Sequence, residues 1–449
     1  MIMAKNDGFD SSFGMLIALI GSAVGLGNLW RFPYLAGTNG GAAFIIIYLM
    51  CVVFLCLPGM ISEYVIGRRS QQDVYGAFKV LAPGSKWKYA GLICVISVTT
   101  VLSFYCVVGG WTIDYLVKAI GMKFVVSDQE AFKTMFTKVS ASGYENTLYT
   151  LAFLLCTCLV VVMGVKNGIE KCNKVMMPIL FVLLLVIIVR SLTLPGSAEG
   201  MRFLFKPDWS KVSTRTVIAA LGQGFFSLSL GCGTIITYAS YSRKTDNLFK
   251  TAGLTAIADT AVAILASIAI MPSVFSFGIP PTQGPGLAFV TLPYVFANMP
   301  FGWLMGILFF FIMFIAAISS SISLLEVMVS YLIKEYKANR VKAAALSFTI
   351  ILILGVLCAL SQGVLSGIHF FKMNLFDFFD FISANILMTG GGLLAVFFVG
   401  WRLGKKEFKD EFTSGGKFNY RPWFLATVLF LIKYIAPVAV ALIMVNGLI

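Results

Sequence analysis

Gly21-Ser22-Ala23-Val24-Gly25-Leu26-Gly27-Asn28 places three glycines and two polar side chains in the middle of an apolar run covering roughly residues 12–37. About 20 apolar residues suffice for a helix to cross the hydrocarbon core of a bilayer. The run is long enough to span, yet its centre is its least helical part. Each glycine costs about 1 kcal/mol relative to alanine inside a helix, so the clustering predicts a break at that point. A break in hydrocarbon releases backbone N–H and C=O groups at several kcal/mol apiece. It therefore has to line a cavity or be buried in protein.

The rest of the chain sets this run in a membrane protein. Of 449 residues, 59% are hydrophobic and 12% charged, about half the ~25% charge of a soluble domain. A mean hydropathy of +0.90 leaves too little polar surface to wrap soluble domains. Eleven spans are read, at roughly 12–37, 42–68, 89–117, 148–165, 174–194, 215–241, 250–278, 301–333, 342–361, 375–401 and 422–446. The polar, Asp-containing lead-in from Lys5 to Ser12 is unlike a basic region with a cleavage site, which predicts a retained first span.

The formal charge of +14 arises from basic residues scattered between apolar runs, with no dense cluster to grip a nucleic acid. Counted by alternate loops, 22 Lys and Arg fall on the N-terminal side and ten on the other, with Arg31 and Lys433 inside spans. The positive-inside rule then predicts a cytoplasmic N-terminus and, for an odd number of spans, an external C-terminus. The expected location is the cell (inner) membrane, with the lipid bilayer as surroundings. The nine cysteines lie in or beside apolar spans without metal-like spacing, so neither disulfides nor zinc is expected. His369, the single histidine, falls in a loop and meets no serine nucleophile in the sequence pattern.

A second glycine-rich interruption, Gln223 to Thr234, lies in span six. Spans one and six are corresponding members of two five-span units. Because five is odd, the second unit enters the membrane from the opposite side, which makes the pair an inverted repeat. Broken helices in corresponding positions of inverted repeats point to the central site of a secondary transporter. A channel would want a continuous polar stripe, and an intramembrane enzyme a nucleophile with its base; neither is assembled.

The segments GSAVGLGNLWRFP (Gly21 to Pro33) and FFSLSLGCGTIITYASY (Phe225 to Tyr241) resemble signature segments of the neurotransmitter:sodium symporter family, in particular its bacterial amino-acid transporters. Further matches are Glu63 to Arg68, Tyr105 and Trp111, Leu194-Pro195-Gly196, Lys206 to Trp209 and Ser319-Ser320-Ser321. The resemblance implies an all-α, leucine-transporter-like fold of eleven helices with helices one and six discontinuous. Its first repeat would cover 12–200, its second 215–401, and 422–446 would be helix eleven. It also implies a sodium-coupled symporter, not an enzyme, that imports an amino acid by alternating access with two sodium ions and no organic cofactor. Nothing in the sequence sets an oligomeric state.

By that resemblance, one sodium site would use the carbonyls of Gly21, Val24 and Ala316 with the hydroxyls of Ser319 and Ser320. The other would use the Ala23 carbonyl, Asn28, Ser227 and a group in span seven. Many relatives have an asparagine there and, one turn on, a serine that helps bind chloride; this chain has Asp259 and no serine before Ser267. An intramembrane carboxylate needs a partner, which sodium provides, and its fixed charge would take the place of chloride. Chloride-independent transport is the expectation.

The substrate carboxylate would meet the start of the second half of span one near Leu26 and Gly27, where N–H groups and the helix dipole favour an anion. Ser22, Ala23 and Gly25 would line the same site, with Tyr105 as an extra donor. Gly25 stands where monoamine relatives carry aspartate, which argues against monoamines. Val101, Phe226, Ser229, Cys232, Ser320 and Leu324 would set side-chain selectivity. Cys232 replaces an aromatic common in relatives, so the larger pocket suits tyrosine or another large hydrophobic or aromatic amino acid.

Arg31 would form the outer gate with Asp380, or alternatively with Asp377, above Tyr105 and Phe226. At the inner face, Asn6 and Lys334 replace the family's charged pair, with Lys5 and Glu335 as substitutes and Phe9 in place of a tryptophan. Gly168 and Pro178 match a pattern that lets span five unwind and release sodium; the alternative is an ordinary proline at a helix start. Glu63 and Glu326 are expected to hydrogen-bond between helices.

Overall fold

The computed structural model describes residues 8–124, 128–279 and 286–448, and these are helical throughout apart from loops and one isolated bridge, Phe370 to Met373. Among the described residues, nine helices are long and apolar enough to cross a membrane: Ala42–Ser70, Lys88–Ile120, Gly143–Val162, Val165–Leu192, Leu248–Ser276, Gly302–Tyr336, Arg340–Leu360, Leu375–Leu403 and Pro422–Gly447. Span one is a bent pair, Ser12–Ala23 and Gly27–Thr38, whose halves meet at 51°. Span six is Thr214–Ser227 followed by Thr234–Ser240, each too short to cross alone. The eleven expected spans are accounted for, and both breaks fall on the glycine clusters.

Burial separates central helices from peripheral ones. In Gly302–Tyr336 and Lys88–Ile120, 78% and 67% of the apolar stretch is buried, against 33% in both Gly143–Val162 and Val165–Leu192. The peripheral helices turn residues such as Leu159 and Val189 outward, as lipid-facing surfaces require. Span eight, by contrast, buries all four of Ser319, Ser320, Ser321 and Ser323. Polar groups that would be costly at the lipid face are gathered around the two breaks.

Each break has a local cause. Val24 turns extended (φ −72°, ψ 102°) and ends the first half of span one. The N–H of Gly25 donates to Asn28 Oδ1 at 2.9 Å, so the carbonyl of Gly21 loses its usual helical donor. In span six, Ser229, Gly231 and Gly233 all have positive φ (53°, 79° and 75°). A left-handed conformation costs an L-residue about 1–2 kcal/mol, which glycine avoids and Ser229 carries. Gly231 also tolerates no side chain, because a Cβ there would fall 1.8 Å from the carbonyl oxygen of Met388. Its N–H donates to Glu63 Oε1 at 2.6 Å, so this carboxylate anchors the unwound segment to span two.

Span five differs from the sequence reading. It begins at Val165, nine residues before the expected start, with a π-helical turn over Val165–Glu170. Lys166 and Lys174, at the two ends of the loop expected between spans four and five, are matched by Asp10 (2.7 Å) and Glu170 (2.6 Å). Pro178 consequently lies inside the helix Lys171–Leu192, and the helix-start alternative does not hold.

The N-terminal face is tightly closed. Phe9 packs edge-on against Tyr238 and Tyr241, with ring centres 5.5 and 6.2 Å away. The backbone N–H of Asp10 donates to Glu170 Oε2 at 2.7 Å. Arg68, 1% exposed, pairs with Glu411, which lies 343 residues later, and Glu326 joins Tyr241 to Arg340. Glu335 pairs with Lys79 at 2.8 Å. Lys5 and Asn6 lie outside the described residues.

Candidate functional site

The two breaks face each other. Ser229 Oγ donates to the Ser22 carbonyl (3.3 Å), and Gln223 Nε2 donates to the Gly27 carbonyl (3.0 Å). Between them lies a cavity of about 30 Å³, lined by Ser22, Ala23, Gly25, Leu26, Gly27, Val101, Tyr105, Phe226, Ser227, Ser229, Cys232, Ser320, Leu324 and Met388. Every residue placed at the substrate site from sequence is on this wall. This is about a tenth of the volume of the vestibule beside it.

The wall is polar at one end. The N–H of Leu26 has no backbone acceptor, because the chain has just left the first half of span one. The Tyr105 hydroxyl is buried beside this N–H and the Ser320 hydroxyl, in no hydrogen bond of full geometry. Two donors thus converge where a carboxylate would be accepted. Gly25 leaves room for nothing more: a Cβ there would lie 2.5 Å from Ser320 Oγ and 3.3 Å from Tyr105 Oη. Cys232, Val101, Leu324 and Met388 make the other end apolar and buried.

Two oxygen clusters flank the cavity. In the first, Asn28 Nδ2 donates to Asp259 Oδ1 (2.7 Å), to the Asp259 carbonyl (3.0 Å) and to Ser227 Oγ (3.0 Å). Ser227 Oγ lies 2.8 and 2.9 Å from the two Asp259 carboxylate oxygens, and the Tyr48 hydroxyl donates to Oδ2 at 3.3 Å. Asn28, Tyr48 and Asp259 are fully buried. An ionised carboxylate in such a place needs donors and counter-charge; the donors are present, and the counter-charge is what a cation would bring. Ala23 ends the first half of span one and lines the same cavity as Ser227.

The second cluster contains no charge. Ser319 Oγ approaches the carbonyls of Ala316 (2.9 Å) and Val24 (3.3 Å), while Ser320 Oγ approaches those of Ser22 (3.2 Å) and Val24 (3.4 Å). These are hard, neutral oxygens of the kind that bind small cations, and Gly21, whose carbonyl the break releases, packs toward Ser319.

On the side of the cavity away from the N-terminal face opens a vestibule of about 310 Å³, lined among others by Trp30, Arg31, Trp111, Phe376, Asp377 and Asp380. Only Tyr105, Phe226 and the backbone at Leu26 and Gly27 are shared with the inner cavity. Phe226 is the partition, and the Arg31 guanidinium lies over its ring at 4.6 Å. Arg31 acts electrostatically with Asp380 without a direct ion pair, whereas Asp377 is engaged by Asn374 Nδ2 at 2.8 Å. Sequence reasoning missed Tyr48, Gln223 and Met388. A tyrosine or methionine in an apolar span carries no signal of its own; Gln223 carried a weak one, as a polar side chain at the edge of the second glycine run.

A model of the sodium:neurotransmitter symporter family matches residues 6–129 and 129–449. The chain is 39% identical over 439 residues to the sodium-dependent transporter YhdH of Bacillus subtilis, covering 97% of this chain and 96% of that one. It is 35% identical to a sodium-dependent transporter of Haemophilus influenzae, over 98% of both. Among solved structures, MhsT in complex with L-phenylalanine superposes with a TM-score of 0.90 at 39% identity, covering 98% of this chain and 100% of that one.

Proposed function

Since the chain belongs to the sodium:neurotransmitter symporter family, a family of membrane transporters and not of enzymes, we propose that it imports a large hydrophobic or aromatic amino acid, such as tyrosine, with two sodium ions and without chloride. The observation that carries this reading is the polar end of the central cavity, where the Leu26 N–H, free of any backbone acceptor, and the Tyr105 hydroxyl converge. A free carboxylate satisfies both. Gly25 offers no counter-charge for a substrate that has only an amine. The preference for a large side chain is supported by Cys232 on the apolar wall and by the phenylalanine complex of the similar transporter.

One sodium ion would sit among Ala23, Asn28, Ser227 and Asp259, the other among Gly21, Val24, Ala316, Ser319 and Ser320. The Asp259 carboxylate, held by Asn28, Ser227 and Tyr48, provides a permanent negative charge beside the first ion. A mobile anion is then unnecessary. Alternating access would work the partition: Arg31 and Phe226, with Asp380, part toward the vestibule, and Phe9 with the π-turned start of span five parts on the other face. In this reading residues 12–200 and 215–401 are the inverted repeats, 422–446 is the added helix, and the vestibule faces outward with the N-terminus in the cytoplasm.

The decisive measurement is uptake of labelled amino acids into proteoliposomes with and without an inward sodium gradient. Tyrosine, phenylalanine or a large aliphatic amino acid is expected to accumulate only with the gradient. Accumulation without sodium overturns symport, and preference for glycine or alanine overturns the side-chain assignment.

A further inference from the structure

Asn173 lies on span five midway between Gly168 and Pro178, and its side chain is fully buried. Its Nδ2 donates to the Ile169 carbonyl at 2.8 Å. A carbonyl only accepts, so the NH₂ end of the carboxamide must face Ile169, and this fixes which way round the group sits. Oδ1 points away and has no hydrogen-bond partner. It is aimed at span one: a Cβ on Gly21 would fall 1.9 Å from Oδ1, and the same point lies 3.5 Å from the Cβ of Ser319. Gly21 is the gap through which this oxygen reaches the edge of the neutral cluster. A buried acceptor with no donor is a cost the fold carries unless something positive visits it.

The position has a direction. Asn173 stands on the N-terminal side of the cluster, eight residues into span five from Val165, opposite the vestibule. The turn supplying its anchor at Ile169 is the π-helical one, pinned through Glu170 to Asp10. Gly21 has this oxygen on one side and Ser319 on the other.

Taking the neutral cluster as a sodium site, as proposed above, we infer that Asn173 is an exit ligand for that ion. Its Oδ1 replaces one oxygen of the cluster as sodium departs, so the ion is never stripped of several ligands at once. A neutral amide oxygen suits this role, since conduction needs a contact favourable enough to enter and weak enough to leave. A carboxylate at the same place would hold the ion back.

Full-length Asn173→Leu and Asn173→Asp proteins in proteoliposomes test this, with labelled phenylalanine and tyrosine as cargo and internal sodium varied. Asn173→Leu is expected to slow turnover about ten-fold while leaving the external sodium needed for half-maximal uptake within two-fold. Asn173→Asp is expected to make internal sodium inhibit uptake at about ten-fold lower concentration. Ser319→Ala serves as the reference and should shift the external sodium dependence. If Ser319→Ala shifts it and Asn173→Asp leaves inhibition by internal sodium unchanged, the exit ligand is overturned and the sodium site stands. If Ser319→Ala shifts nothing, the site reading itself falls. A Leu variant that fails to fold leaves the decision to the Asp variant, whose predicted change is a gain of sensitivity and not a loss of activity.

Discussion

The two oxygen clusters flanking the cavity are built from the same broken helix but by opposite means. Around Asn28 the backbone break is met by a buried carboxylate with donors from spans one, two and six. Around Ser319 it is met by hydroxyls and carbonyls alone. On the proposed function, a cation in the first would be tied to a fixed charge and to the central cavity next to it. A cation in the second has only dipoles to lose, and it borders the helix that carries Gly168 and Pro178. The contrast teaches that, if both clusters hold ions as proposed, the placement of a single aspartate would make one ion hard to remove and leave the other easy.

The most damaging way to break the contrast is Asp259→Ala. It takes the carboxylate acceptor from the Ser227 and Tyr48 hydroxyls and leaves the Asn28 amide only the backbone carbonyl at 259 and Ser227 Oγ, and losing one partner of a buried charged network costs about 2–5 kcal/mol. Sodium-driven uptake per folded protein is expected to fall at least about 100-fold; a loss smaller than three-fold would remove the distinction between the clusters. Asp259→Ser sharpens the point, because it restores a hydroxyl and leaves space for an anion. Its residual uptake should become several-fold greater in chloride than in gluconate, and equal rates would mean that the carboxylate does not substitute for chloride.

Ser319→Ala touches the neutral cluster and removes one of several equivalent oxygens, worth about 0.5–1.5 kcal/mol. The sodium concentration for half-maximal uptake should rise up to about ten-fold, with the maximal rate within about three-fold of normal. The smallest effect is on the unaltered protein: exchanging chloride for gluconate should leave uptake unchanged, and a strict chloride requirement would refute the fixed-charge reading.

Much of the architecture was legible because its signals are local. Glycine clustering marked both breaks, and apolar length marked the spans. Asp259 stood out because charge inside a span is rare enough to demand a reason. What escaped notice depends on partners far away in sequence. Tyr48 looks like any interfacial or core tyrosine until span seven brings Asp259 to its hydroxyl, 211 residues on. Lys166 and Lys174 mark the ends of the loop expected between spans four and five, and their neutralisation by Asp10 and Glu170 cannot be read from the lysines themselves. Met388 lines the cavity only because Gly231 lets span ten approach the unwound segment.

The pair Arg68 and Glu411 bears on how the protein is made. During synthesis the guanidinium at the end of span two emerges 343 residues ahead of the carboxylate that buries with it. A charge of that kind is not sealed into a dry interior alone, so the early helices must wait in a looser arrangement, open to water or borrowed lipid phosphates. The short helix Lys405–Phe412, which follows span ten, then brings the partner that seals it. A chain truncated before Glu411 would keep its earlier spans in sequence and still lack the carboxylate that buries with Arg68.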